Sequence, residues 1–573
     1  MTACTYMTTV GAAETGVRSF KDIQRVSGRQ VARAGAHGRK WNVLAGIGTY
    51  ATGFMRGGRL SFEERADRVA FCRLLGMNVP RRDLVLKRET DKFLERLRER
   101  VCLGGKTGTR AEQFIGLRRY NHEGDLADAD AEEPLMQIPS ALQYFTNLRE
   151  IRFHGQRLKE IPKFVFSLPH LTVLDLQGND ITIVPPEIEQ LKGLTELILT
   201  KNAITRVAAE IGSLRRLRVL FLNENGLPSL PSAITQLVFL EALYLDNNRL
   251  RRLPPGIDGL ISLVTLSMAA NGLEEIPGEV GTLSRLKTLV FSENEVRELP
   301  PSIGKMGSLE RLIGEKNKLE DLPADMSGLK KLRDLFLPGN RIRSVSPTIG
   351  SLTSLERVDL SHNEIPSLPK AIEGCKLLTR LVLSHNNLQK VPTRVERMEA
   401  LTHLDLSHNK LVAVSSFVYS FPALDTLDLS HNEILVMLDM VASLTHLETV
   451  NLSYNRLRRI PEGINDWGVE SEPDGEDEDK VSGLLEVDLS HNEISVLHPA
   501  IAQLAALERL DVSHNRLTAL PEEMKGMTSL ISLNIGGNRF TEIPAFLGHG
   551  MPGLLELKGT DFQNVEEAPQ SGA

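Results

Sequence analysis

Leucine and its apolar relatives return on a fixed beat along most of this chain, in the phrase L-x-x-L-x-L-x-x-N. Between Leu240 and Leu250, Leu243 and Leu245 alternate with the outward position Tyr244, and Asn248 closes the phrase. Period-two alternation over so few residues predicts a short strand. An asparagine amide then offers two donors and one acceptor to the backbone of a tight turn, so it can be buried at low cost. The return arm reads L-P-x-x-I-x-x-L, as from Leu253 through Pro254 and Ile257 to Leu260. Proline is tolerated there because no sheet donor is needed, and it stiffens that side.

The asparagine recurs every 23 residues from Asn179 to Asn455 without a slip and resumes at Asn492, Asn515 and Asn538. A fixed period of this length with this phrase is the signature of a leucine-rich repeat solenoid. The expected fold is therefore α/β, a horseshoe with a concave parallel sheet and a ladder of stacked asparagines. Seventeen units are legible, the first with Gln156 in place of asparagine. A half unit from Leu135 to Leu142 precedes them, and a frayed one from Leu554 to Gly559 follows, as expected of capping repeats. Seventeen strands at about 4.8 Å spacing span roughly 80 Å.

The outward position between the two strand leucines forms a column on the sheet face. It reads Ile198, Phe221, Tyr244, Ser267, Val290, Ile313 and Phe336 in successive repeats. An exposed apolar and aromatic stripe points to a partner interface, although such residues also suit strands for their own sake. The column then turns polar, with Asp359, Val382, Asp405, Asp428, Asn451, Asp488, Asp511 and Asn534. Three positions on stands a histidine column: His362, His385, His408, His431, Tyr454, His491 and His514. Aspartate beside histidine suggests metal or pH sensing. Copying of a D-L-S-H-N unit explains it more simply, so no metal is expected. Asp359, His362, Asp405, His408, Asp428 and His431 are read as a second concave patch. Outer strand positions carry both signs (Arg311, Arg357, Arg380 and Arg509 against Glu150, Asp334 and Glu486), which argues against a nucleic-acid groove.

Outside the repeats the chain changes character. Residues 1–60 are basic, with Glu14 and Asp22 the only acids, and read as disordered. Residues 61–120 read as helical. The capping box from Ser61 to Glu64 starts a helix over 62–75, and a second is expected over 84–100. An acidic linker, 121–134, leads into the solenoid at 135–560, and 561–573 form a tail. The gap from Asn455 to Asn492 holds an insertion with an acidic run at 466–480, read as a solvated loop or bait for a basic partner. Gly104, Gly105, Lys106 and Thr107 fail as a phosphate loop because Arg100 stands where the motif needs glycine.

Charge divides unevenly. Residues 1–120 hold 24 Lys+Arg against 11 Asp+Glu, or +13; the whole chain is −7, so the rest is −20. Such asymmetry marks a segment with its own partner. Four cysteines without paired spacing fit a reducing compartment. No run of 18 apolar residues exists, so no membrane span is expected. The expected location is cytoplasmic, with a mitochondrial alternative from the Arg-rich, acid-poor start.

The repeats resemble the intracellular leucine-rich repeat proteins with 23-residue LP-type repeats, a group that includes Ras-binding scaffolds and plant Ras-group repeat proteins. The resemblance covers roughly residues 135–560. It implies a non-enzymatic scaffold without cofactors, and partners such as a Ras-like GTPase or type-1 protein phosphatase. Arg68, Val69 and Phe71 match the R-V-x-F docking peptide for that phosphatase, which binds as an added strand; here they fall inside an expected helix. The alternative function is a structural subunit of a cytoskeletal, ciliary or mitochondrial assembly, anchored by residues 1–120, the only segment suited to nucleic acid. No catalytic constellation is legible.

Overall fold

The computed structural model describes residues 149–559, apart from 393–397, 414–420, 438–443, 445, 461–463, 465–482, 543, 550 and 552, together with six short strands nearer the N-terminus. The chain divides into two compact units, Met1–Arg152 and Phe153–Ala573.

In the first unit, strands Arg39–Asn42, Thr52–Arg56, Arg59–Phe62 and Leu84–Val85 pair antiparallel in that order. Val101–Cys102 pairs antiparallel with Phe114–Leu117. Three of these strands fall where composition pointed to a lack of order. Leu84–Val85 is extended where a helix was expected to begin, and β-branched Val85 suits that state. Ser61 and Phe62, expected to cap and begin the first helix, close the strand Arg59–Phe62 instead, and Val101–Cys102 and Phe114–Leu117 are extended within the segment read as helical. The rest of both expected helices, the docking motif Arg68, Val69 and Phe71, and the acidic run at 466–480 lie outside the described residues.

The second unit is the expected solenoid. From Val173–Asp175 to Glu556–Lys558, seventeen strands pair parallel, each with that of the next repeat, while Ile183–Val184 and Arg206–Val207 pair separately. Equivalent residues face one another, as Leu243 faces Leu266. Strand leucines such as Leu197, Leu243 and Leu404 are fully buried beneath the sheet. The return arms close the core from the other side as short 3-10 turns. In Ser232–Gln236, Pro231 precedes the turn, Ile234 points inward, and the Leu237 N–H donates to the Ile234 carbonyl. Proline fits there because its fixed φ suits the turn start and its missing N–H has no sheet partner to lose.

Asparagine does more than close its own turn. Asn409 Nδ2 donates to Leu406 O at 3.0 Å and Ser407 O at 3.0 Å, and also to Leu383 O of the preceding repeat at 2.9 Å. Its Oδ1 accepts the Leu388 N–H at 3.0 Å. The same set recurs at Asn248, Asn294, Asn363 and Asn515. Each amide therefore staples two coils: it satisfies a buried N–H of the preceding repeat and shares the strand-end carbonyls with its neighbouring asparagines. The insertion leaves this ladder intact. Asn492 Nδ2 reaches Leu452 O at 2.9 Å across 40 residues of chain, and Thr449 still faces Glu486.

The residue just before the asparagine carries a second regularity. From Lys201 onward it sits in the left-handed region, with φ between 50° and 57°, or is a glycine such as Gly339 at 67° and Gly537 at 66°. The chain must reverse its curvature there to leave the strand, so this column selects residues that tolerate that conformation. Histidine is among the enriched types.

Candidate functional site

Two surfaces follow from this frame, one on the strands and one on the turns that end them. On the strands, Phe221 and Tyr244 stack with ring centroids 4.5 Å apart and planes 3° apart, because parallel register places them side by side. Ile198, Phe221, Tyr244, Ile313 and Phe336 are half-buried. The expected stripe is not continuously exposed, however. Val290 is buried at 5% and Ser267 at 0%. Asp246 closes over Ser267, accepting its hydroxyl at 2.5 Å and the Ala269 N–H at 2.7 Å. Burial raises the Asp246 carboxyl pKa, against the pull of these two donors. Burial and then the Asp246 charge raise that of the Tyr244 phenol. The apolar surface is thus two patches, Ile198–Tyr244 and Ile313–Phe336, with a polar notch between them.

At the second patch the outer strand column carries charge. Asp334 is 3% exposed and bridges two guanidinium groups. It accepts from Arg311 Nε at 3.1 Å, and from Arg357 Nε at 2.7 Å and Nη2 at 2.9 Å. Arg357 also lies over the Phe336 ring, 5.7 Å from its centroid, within reach of a cation–π interaction.

The turns carry the histidine column. His362, His385, His408, His431, Tyr454, His491 and His514 form one continuous stack, with centroids 3.9–4.1 Å apart and planes 10–13° apart. Most of these rings line a shallow groove with Asn387, Glu433 and Arg456. Parallel rings point their nitrogens alongside one another rather than toward a shared point. No group of three His, Cys, Asp or Glu able to hold a metal occurs among the described residues. The aspartates beside the stack have a local task that the sequence did not reveal. Asp359 and Asp405 each accept the N–H of the serine two residues on at 2.9 Å and its hydroxyl at 2.7 Å. Asn451 does the same for Ser453 at 3.0 and 2.7 Å, and Asp428 accepts the Ser430 N–H at 2.9 Å. These are side-chain caps on the strand-to-turn corner. The recurring D-x-S spacing is the signal that would have found them.

Stacking has an electrostatic consequence. Desolvation and then neighbouring imidazoles lower the pKa values of His385, His408 and His491, with Asp405, Asp428, Asp488 and Asp511 opposing. A folded-state pKa below the unfolded value means that the unfolded chain binds more protons. Stability from these rings is fully present above the ordinary histidine value of about 6.5 and is lost as pH falls below it. Denaturant midpoints should therefore drop between pH 7.5 and pH 5.5. The triple variant His385→Asn, His408→Asn, His491→Asn, which keeps residues suited to this backbone, should show a smaller drop. Asp246 and Asp488, raised by burial, act with the opposite sign but are the same in both chains, so they cancel in the comparison. An equal drop in the variant would refute the assignment.

Comparison with known proteins agrees with the fold. A leucine rich repeat family model matches residues 146–204, 192–250, 330–388, 376–434 and 482–540, and a second such model matches 446–467. This chain belongs to the leucine-rich repeat proteins. Among curated proteins none matches it. Among solved structures, a Leptospira interrogans leucine-rich repeat protein is 26% identical, with a TM-score of 0.53, over 75% of this chain and 95% of that one. The Arabidopsis receptor kinase HAESA, solved with the peptide hormone IDA and the co-receptor SERK1, is 26% identical, with a TM-score of 0.52, over 73% of this chain and 80% of that one. The plant peptide hormone receptor RGFR1, at 23% identity and a TM-score of 0.56 over 74% of this chain and 83% of that one, shows the fold alone. Leucine-rich repeats are in general an interaction fold rather than a catalytic one, and no described helix is long and apolar enough to cross a membrane.

Proposed function

We propose that this protein is a non-enzymatic scaffold that holds a folded protein on the sheet face of its repeats. The observation that carries this reading is the Phe221–Tyr244 stack, two large rings held rigidly and half-exposed on a strand platform. Aromatic anchors of this kind dominate binding energy because they bring much area at little entropic cost. HAESA, similar in fold and sequence, was solved with a peptide hormone and a co-receptor, which supports a repeat surface that takes polypeptide ligands. The resemblance to LP-type repeat proteins supports a cytoplasmic partner, a Ras-like GTPase or type-1 protein phosphatase.

The test is the triple variant Phe221→Asp, Tyr244→Asp, Phe336→Asp, captured from cells beside the wild-type chain with quantitative mass spectrometry. Half-buried strand positions tolerate polar residues in later repeats, where Asp405 and Asp428 occupy the same column. The variant should therefore fold, and circular dichroism will verify this. The expected result is loss of one small set of partners, by tenfold or more on the order of a single interface hot spot. If every interaction survives in the folded variant, the scaffold reading of this face fails. Loss of all partners on deleting residues 1–120 instead would move function to the basic segment.

A further inference from the structure

The outer strand column from Arg311 to Arg380 contains more positive than negative groups, and its arrangement is unusual for a surface. A carboxylate as buried as Asp334 is costly, since taking charges out of water offsets much of their attraction. What the two salt bridges do achieve is orientation. Arg357 is gripped in bidentate fashion by Asp334 from one side and rests on Phe336, so its guanidinium is fixed before any partner arrives. Beside it in strict register stands Arg380. Like charges directly opposite on neighbouring strands repel, and Arg380 has no carboxylate partner among the described residues. Burial and then its exposed guanidinium lower the His403 pKa on the next strand. Asp359, on the adjacent column, is committed through Oδ1 to Ser361. The strand pair thus presents a fixed guanidinium and an unneutralised one, side by side, at the end of the apolar patch formed by Ile313 and Phe336.

We propose that Arg357 and Arg380 form the anion-reading end of the sheet-face interface, and that the partner segment seated there carries carboxylates next to apolar or aromatic side chains. This deepens the scaffold reading and rests on it. A planar fork held in place suits a carboxylate, which accepts two parallel hydrogen bonds, and arginine loses less freedom in doing so than lysine would. The apolar residues of the same segment would lie toward Phe336 and the Phe221–Tyr244 stack, so one extended peptide reads both chemistries along the sheet. Charge complementarity of this sort fixes register and rejects basic partners.

The test uses fluorescence anisotropy on the full chain, with a short labelled peptide alternating tryptophan with glutamate and its counterpart carrying glutamine. The expected result is that the glutamate peptide binds about tenfold tighter at low salt, with the advantage shrinking as salt rises. Arg380→Glu should reduce the glutamate peptide to the level of the glutamine one. Because Arg380→Glu removes the like-charge contact with Arg357 and breaks no ion pair, it should not lower the thermal midpoint. Arg509→Glu, placed on the same column in the acidic half, should change little. Equal binding of the two peptides, no binding of either, or indifference to Arg380→Glu would each overturn the proposal. Phe221→Ala with Tyr244→Ala separates the two readings. If that pair abolishes peptide binding while Arg380→Glu does not, the aromatic platform stands and the arginine assignment falls. If Arg380→Glu alone matters, the arginines stand and the scaffold reading of the aromatic stripe loses its support.

Discussion

Replacing Asn409 with alanine should destabilise the solenoid by about 3 kcal/mol, the cost of one orphaned buried N–H together with three lost side-chain donations. The Leu388 N–H loses its acceptor, while the carbonyls of Leu383, Leu406 and Ser407 each lose one donor and keep another, from Asn386 Nδ2, Asn432 Nδ2 and the His385 N–H respectively. Asn409→Asp should be worse, because it sets a carboxylate against those carbonyl oxygens and offers no donor. Lys410→Ala, at the exposed neighbouring position, should stay within about 0.5 kcal/mol of wild type. Urea unfolding followed by circular dichroism distinguishes the three. A second expectation concerns where the loss appears. Because repeats touch only their neighbours, a broken staple can uncouple the repeats around residue 409 from the rest. The transition should then broaden or split, with m falling as the midpoint falls. An Asn409→Ala chain that unfolds with the wild-type midpoint would mean that the ladder is ornamental.

The second large effect arises from one mismatched pair in the core. Gly314 occupies the strand position at which neighbouring repeats place Phe291 and Leu337. A Cβ there would fall 2.1 Å from Phe291 Cζ and 2.4 Å from Cε2, since the fully buried ring of the preceding repeat fills the space. The Phe291 ring takes up space that leucines fill in other repeats, and the missing side chain at residue 314 leaves room for it. Gly314→Leu should therefore overpack the core and cost about 3 kcal/mol or more. Phe291→Leu should leave a cavity and cost about 1–3 kcal/mol. Combining them restores the common pattern, and the double variant should recover most of the loss, with a coupling energy of about 2–3 kcal/mol. Strict additivity would show that the two side chains do not share one space.

These cases show what the sequence could and could not convey. The solenoid was legible because a 23-residue period ties each leucine and asparagine to a fixed place in a coil, and the coil repeats. The Phe291–Gly314 exchange was not, because it is visible only when residues 23 apart are compared by volume rather than by type. The histidine column was legible as a column, but its cause was missed. Gly339 and Gly537 in the same column were the clue that the backbone there turns left-handed. The aromatic stripe was correctly placed on the sheet face, but it was drawn as continuous. Alternation tells which face a residue takes, not whether a neighbour such as Asp246 will fold over Ser267. The Asp334 clamp depended on the same cross-strand geometry, which single-letter patterns register only as mixed charge.

Hydroxyl-radical footprinting of the chain with and without a captured partner examines the sheet-face interface most directly. It reads side-chain exposure residue by residue. Phe239 is an internal reference, 58% exposed and away from the stripe. If the partner sits on the sheet, oxidation of Phe221, Tyr244 and Phe336 should fall severalfold in the complex while that of Phe239 is unchanged. Shielding confined to Phe239 and the 3-10 turns, with the stripe oxidised as before, would contradict it and place the partner on the opposite side of the solenoid.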